Sequence, residues 1–124
     1  MTSKDLEDRL IGFAVNIIKL SNGIITTYAG NTMASQIVRS SSSIALNYGE
    51  AQSAESPRDF VHKLGICLKE MRETFINLRI IDGAKLHVDQ QLLYQLKTEC
   101  NELISIFVKS IETSKRKQGT LPPK

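Results

Sequence analysis

Residues 36–55 read QIVRSSSSIALNYGEAQSAE, a helical pattern built from residues that isolated helices disfavour. Serine side chains offer the backbone competing hydrogen bonds, and a glycine inside a helix costs about 1 kcal/mol relative to alanine. The four serines at positions 40–43 and Gly49 therefore make this helix dependent on its neighbours. Their small side chains also let another helix approach closely. The stretch predicts a protein in which helices pack tightly against each other.

A polar stripe runs along this same helix. Spacings of four, four and three residues place its members on one face, and they are Arg39, Ser43, Asn47 and Glu50. Arg39 and Glu50 are three turns apart and cannot pair within the helix, so each can satisfy buried polar groups on neighbouring helices. We interpret the stripe as a device that fixes bundle or subunit geometry. Recognition of a partner protein is the alternative.

Apolar residues repeat with a helical period along most of the chain. The pattern predicts helices over residues 5–22, 31–53, 57–82 and 89–116 in one domain spanning residues 1–117, followed by a flexible tail over residues 118–124. Ser56 and Pro57 give the clearest start signal, a capping serine before a proline at the first helical position. Asn31 or Thr32 is expected to cap the second helix, with residues 23–30 as a connection. Asp89 is expected to cap the fourth.

Long amphipathic helices, short links and the lack of a strand pattern predict an all-α, antiparallel up-and-down four-helix bundle. Some apolar residues lie beside the main stripes and widen the apolar faces beyond the needs of one bundle core. They are Ile76, Ile80, Ile104 and Val108. From this excess we expect a homo-oligomer. The alternative is a broad monomer core under the loops.

Composition sets wide limits on the class of protein. A chain of 124 residues with 41% apolar residues fits one domain, and a net charge of +3 is compatible with many kinds of partner. No apolar run reaches the length of a membrane span, and the acidic start is unlike a signal peptide, so we expect a cytoplasmic protein without a membrane partner. Cys67 and Cys100 lie in apolar helical patterns and are predicted to be buried free thiols, with a disulfide as the alternative.

The sequence contains no recognisable catalytic constellation. Asp59 and His62 are the nearest approach to the Glu-x-x-His motif of di-metal helical bundles. That motif has no second copy, and Asp59 is already accounted for as a helix-capping acid. His87 is distant in sequence, and no glycine-rich phosphate loop is present. We therefore expect no enzymatic activity, no cofactor and no metal.

Several motifs resemble those of the bacterial 23S rRNA intervening-sequence proteins. The motifs are Gln36 to Ser40, Ser43 to Asn47 with Gly49 and Glu50, Ser56 to Phe60, and Leu68 to Glu70. One departure is Tyr48 followed directly by Gly49-Glu50, where many members read Ile-Ala-Glu-Gly after the asparagine. The family's acid is carried over to Glu50.

This resemblance implies a small all-helical protein without enzymatic activity. It is similar to relatives that assemble as homopentamers, including accessory proteins of diversity-generating retroelements, which are basic partners for nucleic acid and reverse transcriptase. Some relatives are encoded within inserts in ribosomal RNA genes, so the family name reports gene location rather than binding to ribosomal RNA.

Basic side chains repeated across identical subunits would sum into a larger field than one chain produces. Candidate phosphate contacts are Arg58, Lys63, Lys69, Arg72, Lys115, Arg116 and Lys117. The alternative is an ordinary solvated face, because Glu70 and Glu73 interrupt the set and no readout motif is present. We expect sequence-nonspecific binding of RNA or DNA. The competing function is a scaffold whose oligomeric surface docks a partner such as a reverse transcriptase.

Overall fold

The chain folds into four α-helices joined by short connections. A computed structural model describes residues 1–123 and contains α1 (Ser3–Asn22), α2 (Tyr28–Ala51), α3 (Pro57–Gly83) and α4 (Gln90–Lys117). No strand occurs within these 123 residues. Each helix packs against the next, and α1 also contacts α4, so the four helices close into a bundle. The predicted all-α helical bundle is confirmed.

The second helix begins earlier than the sequence predicted. Its cap is Thr27 rather than Asn31 or Thr32, since the Thr27 hydroxyl oxygen accepts a hydrogen bond from the Gly30 backbone N–H at 3.0 Å. Gly30 suggested a connection but lies inside the helix and is buried. A side chain there would overlap the carbonyl oxygen of Ile25. A close backbone approach, rather than a turn, therefore explains this glycine.

The other three helices begin at polar caps. The side chains of Thr2, Ser56 and Asp89 each accept a hydrogen bond from the backbone N–H three residues later. The predicted Ser56 and Asp89 caps are confirmed, whereas α1 starts two residues before the predicted position 5 because Thr2 and Asp5 form a capping box. The second helix ends at residue 51, two residues before the predicted end.

Residues after α4 fold back onto the bundle. The Gln118 side-chain amide donates to the carbonyl oxygen of Pro57 at 2.9 Å, and the Thr120 backbone N–H donates to the carbonyl oxygen of Lys115 at 2.9 Å. Gly119 between them has a φ of 75°, which favours glycine. Residues 118–121 thus form turns and bends against the helix ends. The flexibility expected of residues 118–124 stays a prediction, and Lys124 lies outside the described residues.

Helices α2 and α3 form the most extensive helix pair of the bundle. Ser40 is fully buried, and its hydroxyl lies 2.8 Å from the hydroxyl of Thr74 on α3. This close approach confirms the reading of the serine-rich stretch as a packing surface. Cys67 and Cys100 are buried free thiols, as predicted, and burial raises the pKa of each to about 12.

The apolar residues expected to exceed the core separate into two groups. Ile104 packs against the core and Val108 is half-buried, whereas Ile76 and Ile80 on α3 are about half exposed. Within residues 1–123, no helix is both long enough and apolar enough to span a bilayer.

Candidate nucleic-acid interface

The outer face of α3 carries three of the predicted phosphate contacts. Arg58, Lys69 and Arg72 are all exposed, and spacings of eleven and three residues keep them on one side of the helix. Together they span about 21 Å at about 1.5 Å per residue. This part of the predicted site therefore forms one continuous surface.

Arg79 extends this surface and was missed by the sequence reading. It is exposed and lies two turns after Arg72 on α3. The signal was available, because a spacing of seven residues returns to the same face of a helix. Across residues 1–123, no ion pair forms at Arg58, Arg72 or Arg79. Their charges are thus directed to solvent.

Lys63 lies away from the outer face of α3. Its amine is 3.9 Å from a carboxylate oxygen of Glu50 on α2, and its side chain is only 27% exposed. Lys69 also has an acidic neighbour, Glu73 at 3.9 Å, but it is 71% exposed. A surface pair of that kind is weak and leaves the amine available. The structure therefore separates Lys63 from the other basic residues of α3.

The last turn of α4 supplies the second part of the predicted site. Arg116 is partly occupied, with Nη2 3.8 Å from Glu112 and Nε donating to the carbonyl oxygen of Pro122 at 3.3 Å. Lys115 is half-buried and Lys117 is exposed. Cations in this turn also complement the helix dipole, which explains part of their presence.

The two parts of the site lie at the same end of the bundle. The Gln118 amide donates to the carbonyl oxygen of Pro57, the residue just before Arg58. This hydrogen bond holds the end of α4 against the start of α3. We call the surface formed by Arg58, Lys69, Lys115 and Lys117 the basic end.

The polar stripe on α2 bonds differently from what was predicted. Asn47 Nδ2 donates to the backbone oxygen of Ser43 at 2.8 Å and to its hydroxyl at 3.0 Å. These two residues are therefore satisfied within their own helix rather than on a neighbour. Arg39 and Glu50 are exposed at the side of α2 that faces α3, where Glu50 meets Lys63.

Glu70 on α3 is the unusual acid near this stripe. It is 9% exposed, and its Oε2 has no hydrogen-bond partner among the described residues. Burial raises its pKa, the charge of Glu73 raises it further, and the charge of Arg39 acts in the opposite direction. Sequence reading treated Glu70 only as an interruption of the basic set, since burial of one acid is not encoded in its own helix position.

Asp59 and His62, the nearest approach to a metal motif, have no wider ligand set around them. Asp59 Oδ2 accepts a hydrogen bond from the Glu55 backbone N–H at 3.2 Å, at the start of α3. In the described part of the chain, no group of three or more His, Cys, Asp or Glu side chains could hold a metal ion.

Comparisons with known proteins agree with this architecture. The family model described as 23S rRNA-intervening sequence protein matches residues 6–109. The fold is similar to the crystal structure of a protein of unknown function from the S23 ribosomal protein family of Bacteroides thetaiotaomicron VPI-5482, with a TM-score of 0.81, 28% sequence identity, and coverage of 90% of this chain and 99% of that chain. None of the curated proteins matches this chain. The chain belongs to the 23S rRNA-intervening sequence protein family.

Proposed function

We propose that this protein is a non-enzymatic oligomer that binds nucleic-acid backbones through the basic end. The observation that carries the proposal is the hydrogen bond from Gln118 to Pro57. It brings Arg58 and the lysines of the last turn of α4 onto one end of the bundle. Lysine and arginine side chains grouped in this way contact phosphates and release counterions on binding.

Binding of this kind is independent of base sequence. Recognition of single-stranded bases relies on exposed aromatic side chains, and the strongly exposed tyrosines, Tyr28 and Tyr94, lie at the opposite end of the bundle. Base-edge readout in a duplex needs a helix or strand that enters a groove with several polar side chains. The basic end offers cations instead, so RNA and DNA are both suitable ligands.

Assembly would strengthen a weak site. One chain carries a net charge of only +3, and a field of that size attracts nucleic acid poorly. Identical subunits that share one orientation would repeat the basic end around the assembly. The homopentamer implied by the family resemblance is one such arrangement.

Salt-dependent binding tests the proposal. Fluorescence anisotropy with short labelled RNA and DNA, single-stranded and duplex, should show an affinity that falls as salt rises. Arg58→Glu should reduce the affinity at low salt by about tenfold and lower the salt slope by about 1 per contact. Lys19→Glu is the matched control, because it makes the same charge change at an exposed position near the other end of the bundle.

Two results would contradict the proposal. One is binding that does not respond to salt, and the other is an equal loss of affinity in the Arg58 and Lys19 variants. Undetectable binding at low salt would favour the second candidate, a scaffold that docks a partner protein such as a reverse transcriptase. The observation that favours a scaffold is the pair of almost fully exposed residues Tyr28 and Val88 at the end opposite the basic end.

A further inference from the structure

Two apolar stripes remain uncovered on the outside of the bundle. Ile11, Val15 and Ile18 form one on α1, and Ile76 and Ile80 form the other on α3, each residue between two fifths and about half exposed. Helices α1 and α3 do not contact each other, so the stripes lie at opposite corners. The outer face of α4 is polar by contrast, with exposed Thr98, Asn101 and Ser105.

The two stripes lie at the same height along the bundle. Val15 is seven residues before Asn22, the end of α1, and Ile76 is seven residues before Gly83, the end of α3. Both are therefore about 10 Å from the end of their helix. The two helix ends are level, because the connections after them are joined by a hydrogen bond from the Ile25 N–H to the Leu86 carbonyl oxygen at 3.0 Å.

The charges below the stripes are opposite in sign. On α1 the exposed stripe continues into Glu7 and Asp8, of which Asp8 is paired with Lys4 at 3.0 Å. On α3 the corresponding heights hold Lys69 and Arg72. Asp8 and Lys69 are each fourteen residues before the end of their helix. The faces therefore match in apolar register and in charge when two bundles stand side by side with parallel axes.

We propose that this match joins copies of the chain head to tail, with the α1 face of one subunit packed on the α3 face of the next. The inference rests on the oligomer of the proposed function and deepens it by naming the contact. A two-fold contact through one stripe would leave the other stripe in water. A heterologous contact buries both, and its repetition generates a ring when the rotation closes.

The basic end stays outside this contact. Arg58 is eighteen residues before Ile76, about 27 Å along α3. In a ring with parallel axes, every basic end then points to the same side of the assembly. Arg72 lies at the border between the two surfaces, where it faces Glu7 of the neighbouring copy.

Complementation of two variants tests the contact. Size-exclusion chromatography with light scattering should give the wild type a mass above 13.8 kDa, and Val15→Glu and Ile76→Glu should each reduce it to 13.8 kDa. An equimolar mixture of the two variants retains one intact α1 face and one intact α3 face, so it should form a dimer of twice that mass. Asn101→Glu on the polar face of α4 is the control and should keep the wild-type mass.

Circular dichroism should show that each variant is folded, and Ile18→Glu and Ile80→Glu replace any that is not. A wild type of 13.8 kDa, or a mixture that remains monomeric, overturns the contact. If Ile76→Glu still dimerises while Val15→Glu does not, a two-fold contact through α1 is correct instead. Arg58→Glu should keep the wild-type mass, so loss of nucleic-acid binding in an intact assembly, and loss of assembly, are separate results.

Discussion

Arg9 on α1 holds Glu99 on α4 through two hydrogen bonds, from Nε to Oε2 at 2.7 Å and from Nη2 to Oε1 at 2.6 Å. Both side chains are 29% exposed. The parallel geometry is the strongest form of an arginine–carboxylate pair. Helices α1 and α4 share fewer contacts than any other neighbouring helices of the bundle. This pair therefore closes the most sparsely packed seam.

Arg9→Ala should lower the free energy of unfolding by about 1 to 2 kcal/mol, the range for half-buried hydrogen bonds between charged groups. Urea unfolding followed by circular dichroism measures the change. The control is Lys4→Ala, which breaks the exposed pair with Asp8 and should cost less than about 0.5 kcal/mol. Equal losses in the two variants would show that the seam does not depend on Arg9.

What the sequence could predict depended on how local the determining contact was. Ser56 caps α3 through a backbone group three residues away, so the start of this helix was correctly located. Arg9 and Glu99 are ninety residues apart, and their pairing requires knowing that α1 and α4 are neighbours. Thr27 was missed as a cap because the glycine that follows it resembles a turn signal, whereas the structure uses that glycine for close packing.

The candidate site follows the same rule. Helical period correctly grouped Arg58, Lys69 and Arg72, since residues on one helix face share a direction. The period could not show that Lys63 faces Glu50, because that contact depends on how α2 and α3 are arranged. The meeting of the ends of α3 and α4 depends on the turn after residue 117, which the sequence reading treated as a loose tail.

Two glycines of α2 should respond in opposite directions to alanine. Gly30→Ala would force a Cβ into the carbonyl oxygen of Ile25, and backbone cannot move away easily, so we expect a loss of about 2 kcal/mol or more. Gly49→Ala meets no atom within 4 Å and should stabilise the helix by about 0.5 to 1 kcal/mol. Thermal unfolding compares them directly. A stable Gly30→Ala protein would contradict the proposed close approach.

Both cysteines should be inert in the folded protein. With a pKa of about 12 for Cys67 and Cys100, only about one thiol in ten thousand is ionised near pH 8, and the thiolate is the reactive form. Ellman's reagent should therefore modify both thiols at a single slow rate equal to the rate of global unfolding. In denaturant the same thiols should react at once. Fast modification of one cysteine in the native protein would show local opening around that residue.

Glu70 should make stability dependent on pH. Burial raises its pKa in the folded state, so the folded protein holds this proton more tightly than the unfolded chain. The resulting stability is complete below the ordinary pKa of glutamate, about 4.3, and is lost as pH rises through the raised folded pKa. Near neutral pH the folded state therefore contains a buried carboxylate whose Oε2 has no hydrogen-bond partner among the described residues.

Glu70→Gln removes this ionisation, so its free energy of unfolding should fall less from acidic to neutral pH than that of the wild type. Near neutral pH the variant should be the more stable by about 1 kcal/mol, the lower end of the cost of a buried unsatisfied group. Urea unfolding at a series of pH values measures both quantities. Glu112→Gln, at a more exposed acid on α4, is the control and should keep the wild-type pH profile. If both variants follow the wild type, the Glu70 carboxyl is solvated in the folded protein and its burial does not influence stability.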